Sequence, residues 1–217
     1  MIVETAAELD ALRAQRLPEA FFARDAKVVA RALIGARLLH VRGEHVQIAR
    51  IAETEAYRGP KDRACHARFG ETPRTRHIFG SPGTAYCFLV YGMHDCFNVV
   101  TRAAGSGHAV LLRGAVLVAD STRADGPGRL ARALGLSRTD SGRSCVSDSL
   151  FFLAKERRPR VGVSARVGVA YAEEDADLPL RFFDATGEGV SRPPPSQIGR
   201  GPQPSLRTRS LQRARKT

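Results

Sequence analysis

The chain reads as a single mixed α+β domain. Its 217 residues suit one domain, since domains commonly run about 100–200 residues and larger single ones occur. Apolar residues make up 43% of it, enough for an ordinary core. Strand-like runs and helix-like stripes follow one another without regular alternation, and no segment repeats.

Residues 1–19 begin with a short polar helix that Pro18 ends. Asp25 is placed to cap a helix running to Gly35, with Val28, Val29, Ala32 and Leu33 as its apolar stripe. Leu38–Val41 and Val46–Glu55 read as strands around the turn Arg42-Gly43-Glu44. Four glycines and three prolines crowd residues 58–83, which predicts a long loop region of the kind that is usually functional or disordered. Ala85–Val90 and Cys96–Thr101 are the arms of a hairpin turning at Tyr91-Gly92-Met93-His94-Asp95. Ala109–Val118 is another apolar strand. Gly126-Pro127-Gly128 opens a helix with Leu130, Ala133 and Leu134 inward and Arg129 and Arg132 outward, ended by Gly135. Val161–Tyr171 reads as a late strand and Leu180–Phe183 as one more. From Pro193 onward, five prolines and no apolar periodicity predict a disordered tail.

A formal net charge of +12 and a pI near 10.5 favour a polyanionic partner. Seven of the basic side chains, and no acidic one, fall within 191–217, which leaves +5 on the rest. Charge alone therefore does not decide the partner. No stretch approaches the ~20 apolar residues of a membrane span. The start, Met-Ile-Val-Glu-Thr-Ala-Ala-Glu, has neither the basic nor the apolar segment of an export signal. The expectation is a soluble cytoplasmic protein, nucleoid-associated if bacterial. Cys65, Cys87, Cys96 and Cys145 show no CxxC and no zinc-ligand spacing, and read as reduced thiols packed as small apolar groups. Neither a metal nor another cofactor is expected. Cys65 beside His66 suggests a nucleophile pair, but neighbours on a strand face opposite ways.

Glu53, Glu55 and Tyr57 fall at i, i+2 and i+4, so on a strand they share a face. Two carboxylates there repel, and one of them can carry a raised pKa and serve as a general base. The alternative is that one pairs with an arginine and the other is solvated. Phe88 and Tyr91 bracket the end of a hairpin arm. The Tyr-Gly turn either exposes Tyr91 as a wedge, with Met93 padding the same surface, or folds it back onto the sheet. Asn98 lies in an apolar strand, where a buried amide needs partners, either a ligand edge or the backbone. A carboxylate, flat rings and an aromatic wedge at a glycine turn suit chemistry on a nucleobase drawn out of a duplex.

Other segments extend this set in order. Phe21-Phe22 precedes Val29–Gly35; Glu53–Tyr57 precedes Gly59-Pro60, Asp62 and His66. Thr72-Pro73-Arg74, Pro82-Gly83-Thr84, Tyr91–His94 and Asn98–Thr101 follow. Leu111-Leu112-Arg113, Gly126-Pro127-Gly128, Ala133-Leu134-Gly135, Arg166–Val169 and Pro179–Phe182 complete it. The set resembles the alkyladenine (3-methyladenine) DNA glycosylase family, the alkylpurine-repair enzymes without the helix-hairpin-helix motif. The resemblance covers roughly residues 16–190, with a polar extension at 1–15 and a basic Pro/Arg-rich tail at 191–217.

The resemblance implies a curved, largely antiparallel sheet with surrounding helices and a protruding β-hairpin that inserts into DNA. It implies a monomeric, monofunctional enzyme that flips alkylated purines from double-stranded DNA and hydrolyses the N-glycosidic bond. By the same resemblance, Glu55 is the general base, and Arg113 and the Val167 carbonyl hold its water. Tyr57 on one side and His66 with Phe88 on the other stack the purine; Asn98 lies at the pocket floor against the guanine amino group. Tyr91 takes the vacated space in the minor groove, with Met93 and His94 beside it, and Arg129 contacts phosphate. Two features depart from the family's pattern. Phe88 stands where some members have tyrosine, and only 12 residues separate Arg113 from Gly126. A non-catalytic damage-binding protein and a general nucleic-acid binder using the arginine tail are the alternatives; Glu55 and Arg113 argue against the first, and the second predicts that deleting 191–217 abolishes binding.

Overall fold

Local sequence sets each helix. Thr5 and Glu8 cap one another's backbone N–H at the start of α1 (Ala6–Ala14), which ends before Pro18. A single turn, α2 (Glu19–Phe22), follows. Asp25 accepts a hydrogen bond from the Lys27 N–H at 2.9 Å and opens α3 (Ala26–Leu33). The buried face of α3 is Ala26, Val29, Ala30 and Leu33, and Val28 is 50% exposed. The expected stripe is thus rotated. Ala26 and Ala30 are small enough to let the helix lie close to the sheet, where the Thr54 hydroxyl donates to the Ala30 carbonyl at 2.9 Å. The computed structural model describes residues 3, 5–90 and 92–191.

The strands are β1 (Arg37–Arg42), β2 (His45–Arg58), β3 (Ala85–Val90), β4 (His94–Thr101) and β5 (His108–Leu117), then β6 (Arg123–Asp125), β7 (Leu150–Leu153), β8 (Val161–Ser164) and β9 (Arg181–Asp184). Their pairings are antiparallel, in the order β3-β4-β5-β2-β1-β7, with β6 on β5 and a β8–β9 ribbon on β2. The result is one mixed α+β domain built on an open, curved, largely antiparallel sheet. Strand β2 is its spine. One edge pairs with β5 throughout residues 49–58, while the other serves β1 over 45–50 and β9 over 53–55.

Alternation divides the sheet into two faces. Ala56, Val99, Val110 and Leu112 face the main core, which α3 and α4 (Pro127–Leu134) cover on that side of the sheet. Tyr57, Asn98, Ala109 and Leu111 face the other way, into a cavity. Helix α4 buries Leu130, Ala131 and Leu134 and stops at Gly135, left-handed at φ 63°.

One expectation is corrected, that of the late strand, and two stretches take a definite form. The 58–83 stretch is ordered into 3₁₀ turns at Gly59–Lys61, His66–Phe69 and Arg76–Phe79. The late strand stops at Ser164; a left-handed Gly168 (φ 77°) turns the chain away from the ladder. The short connection after Arg113 is a β-turn return, in which β6 pairs back on β5 through Gly114↔Asp125 and Val116↔Arg123. The tail expectation concerns 192–217, outside the described residues.

Candidate active site

Two irregularities in the β2–β5 ladder aim the charged groups. The register passes from Ile51↔Ala115 to Glu53↔Gly114 and then to Thr54↔Leu112, skipping Ala52 on one strand and Arg113 on the other. An unpaired residue in a ladder bends its strand and redirects a side chain. Here it sets the Arg113 guanidinium between two carboxylates. Arg113 Nε donates to Glu53 Oε1 at 3.0 Å and lies 3.4 Å from Glu55 Oε1.

Both glutamates are fully buried. Glu53 also accepts from Arg181 Nε at 2.6 Å and from the Ser191 N–H at 2.6 Å. The last described residues form the back wall of this cluster: Arg113 Nη2 reaches Ser191 Oγ at 3.3 Å, and a Cβ on Gly114 would meet the Gly189 carbonyl at 2.1 Å. Glu55 accepts from the Tyr57 hydroxyl at 2.8 Å and the Val167 N–H at 2.7 Å. Burial raises the Glu55 pKa from its ordinary 4.5, against the pull of Arg113 and the two hydrogen bonds. Neither carboxylate is solvated, so that half of the alternative reading fails. The arginine pairing falls mainly on Glu53.

In front of the cluster lies a cavity of about 490 Å³. Tyr57, His66, Phe88, Asn98, Arg113 and Val167 all line it, so six dispersed positions meet in one place. Glu55 does not line it; its carboxylate sits one layer behind Tyr57, Arg113 and Val167. His66 and Phe88 meet edge-on, with centroids 4.4 Å apart and planes at 69°. The His66 pKa is lowered, first by burial and then by Arg74 and Arg68, which favours the neutral ring. Asn98 Nδ2 donates to the Tyr86 carbonyl at 3.0 Å, so its amide is tied to the sheet as well as facing the cavity.

Met93, His94 and Arg129 do not line the cavity. Met93 is 72% exposed at the hairpin turn, and His94 is exposed at the start of β4, against Gly128. Arg129 is exposed on α4 and pairs with Asp125. Tyr91 lies outside the described residues. Among the described residues, no three His, Cys, Asp or Glu side chains gather as metal ligands would. Cys65 and His66 both line the cavity, because they stand at a 3₁₀ turn rather than on a strand. The Cys65 thiol nevertheless faces the Gly107 carbonyl, and burial pushes its pKa up to about 11.

The sequence profile of the methylpurine-DNA glycosylase family matches residues 20–188. The chain belongs to that family. Its relatives include proteins provisionally named 3-methyladenine DNA glycosylase. One from Myxococcus xanthus is 48% identical over 184 residues, 82% of this chain and 95% of the relative. One from Anaeromyxobacter dehalogenans (strain 2CP-1) is 49% identical over 83% of this chain and 87% of its own length. One from Legionella pneumophila (strain Lens) is 40% identical over 82% and 99%.

This methylpurine-DNA glycosylase family member also has supporting groups that the residue pattern did not single out. Tyr86 fixes His66 through a 2.9 Å contact between its hydroxyl and Nδ1. Arg166, fully buried, grips both oxygens of Asp62 at 2.6 and 2.9 Å, binds the Ala56 carbonyl, and lies 4.8 Å from the centroid of the Tyr57 ring. These links run between segments far apart in sequence, so spacing carries no trace of them.

Proposed function

We propose that this protein removes alkylated purines, 3-methyladenine and 7-methylguanine foremost and hypoxanthine more slowly, from double-stranded DNA by hydrolysing the N-glycosidic bond. The observation that carries the reading is a buried carboxylate, Glu55, bonded to three groups that wall an aromatic, base-sized cavity. Extruding a base costs a few kcal/mol, least where pairing is already weakened. Stacking on aromatic faces returns about 1–3 kcal/mol per contact, so a slot of Tyr57 against His66 and Phe88 offsets it.

A purine alkylated at N3 or N7 is cationic. It stacks well on electron-rich rings, and a neutral His66 adds no opposing charge. The cation is also a good leaving group. As the bond between the anomeric carbon and the purine nitrogen breaks, its electron pair goes to the purine, which leaves neutral. Water placed between Arg113 and Val167 bonds to the anomeric carbon and gives its proton to Glu55. General-base assistance of this kind is worth about 10²–10⁴-fold. Hypoxanthine lacks the built-in charge and reacts more slowly. Asn98 at the floor disfavours the guanine amino group. Tyr91, with Met93 and His94, holds the space the base vacates, and Arg129 contacts phosphate. Strand cleavage needs an amine nucleophile, and no lysine lines the cavity among the described residues; the enzyme is monofunctional. It acts as a monomer, and its working compartment is the cytoplasm.

The test is release of free base from methylated duplex DNA, with strand integrity followed in parallel. Free 3-methyladenine or 7-methylguanine with unbroken strands supports the reading. Tight binding of lesion duplex with no release would make the protein a damage binder instead.

A further inference from the structure

Large apolar side chains exposed among the described residues are few: Val28, Phe69, Met93 and Tyr171. Two of them, Phe69 at 65% exposure and Tyr171 at 59%, flank one guanidinium. The Arg68 group lies 4.4 Å from the Phe69 ring centroid and 5.7 Å from that of Tyr171. This trio is tethered. Arg68 donates to the Arg63 carbonyl at 2.6 Å, and the Tyr171 hydroxyl reaches the Ala64 carbonyl at 3.4 Å. Phe69 ends the same 3₁₀ turn that presents His66 to the cavity, and Tyr171 lines the cavity mouth. Exposed rings interleaved with arginine are the pattern by which proteins hold unpaired bases.

We propose that Phe69, Arg68 and Tyr171 form a second stacking platform, at the cavity mouth, for an unpaired nucleobase of the strand that carries the lesion. The surrounding charge selects a base over a duplex backbone. Arg74 lines the cavity and the Arg68 guanidinium lies by the two rings, while Tyr171 is followed by Glu173, Glu174, Asp175 and Asp177. Arg63 binds Glu173 and Asp175, and the rest of that run repels a phosphate backbone laid across it. A base reaching the rings from the cavity side avoids it. In a duplex the hairpin tip supplies grip by filling the space a flipped base leaves. A single strand has no such space, so stacking beside the cavity takes its place.

The inference rests on the glycosylase reading for the identity of the strand, and its test has one arm free of chemistry. Undamaged single-stranded oligonucleotide carrying 2-aminopurine is titrated with wild type, Phe69→Ala and Phe69→Tyr, reading quenching and affinity. Excision from a lesion in single-stranded and in duplex DNA is measured beside it. The expected result is about tenfold weaker single-strand binding by Phe69→Ala, rescue by Phe69→Tyr, and a matching loss of kcat/KM on single strands, with duplex kcat/KM within about twofold. Unchanged single-strand affinity, or an equal loss on both substrates, would overturn it. So would self-association of wild type that Phe69→Ala abolishes, since the patch would then cover a second copy. Phe69-dependent single-strand binding without any base release would leave the platform standing and remove the glycosylase reading.

Discussion

Glu55 gains its chemical character from three contacts and from its burial. Burial lifts its pKa above 4.5, while Arg113, the Val167 N–H and the Tyr57 hydroxyl pull it back. The ionised form is the base, so kcat/KM falls as pH drops through that raised pKa, and the acid limb lies above pH 4.5. Tyr57→Phe keeps the ring and removes one hydrogen bond to the carboxylate. The limb then moves to higher pH, which a pH profile of kcat/KM on one lesion duplex checks; an unmoved limb would detach Tyr57 from Glu55. Asn98 both donates to the Tyr86 carbonyl and lines the cavity. Asn98→Ala therefore costs about 1–3 kcal/mol of stability and also loosens discrimination against undamaged guanine. Competition between lesion and guanine-containing duplex reads the second effect; unaltered selectivity would leave Asn98 purely structural.

At the scale of elements, the site is assembled where β2 changes partners and its ladder with β5 skips a residue on each strand. The Asp62–Arg166 pair fastens the segment carrying Val167 to the turn after β2. Burial raises the Asp62 carboxyl, but Arg166 and the N–H groups of Arg58 and Ala64 more than offset this, holding it below its ordinary 3.8. Its contribution to stability is present above pH 3.8 and is lost as pH falls through the lower folded value. Asp62→Asn leaves Arg166 buried without its carboxylate, so it costs about 3–5 kcal/mol in denaturant unfolding at neutral pH; the acid-side loss should shrink in that variant.

This scale also separates what was legible in the sequence. The hairpin, the Asp25 cap and the shared face of Glu53, Glu55 and Tyr57 follow from local rules of alternation and capping. The skipped Arg113, β6 and the all-buried Leu-Phe-Phe-Leu of β7 do not, because tertiary partners decide them. Five cavity-lining positions belong to the ordered motif set, and the resemblance adds Phe88. In the sequence, Tyr86 and Arg166 stand only as members of the stretches Ala85–Val90 and Arg166–Val169. Their roles are long-range contacts that no spacing encodes.

Across the whole molecule, the cavity is an aromatic slot backed by charge, and the proposed function assigns the exposed hairpin turn at Met93 and His94 to the duplex. Seven of the basic side chains, and no acidic one, fall in residues 191–217 of the sequence. Deleting 192–217 should weaken duplex affinity and flatten its salt dependence while leaving lesion selectivity intact. A salt titration of the truncated chain on damaged and undamaged duplex checks this; loss of selectivity with the tail would place recognition there instead. The central claim is that a buried carboxylate drives base release from a flipped purine. The direct measurement is single-turnover excision and binding by wild type and Glu55→Gln on one 3-methyladenine duplex. The account predicts near-equal binding and a loss of release by about 10²–10⁴-fold in the variant, whereas near-normal release would contradict it.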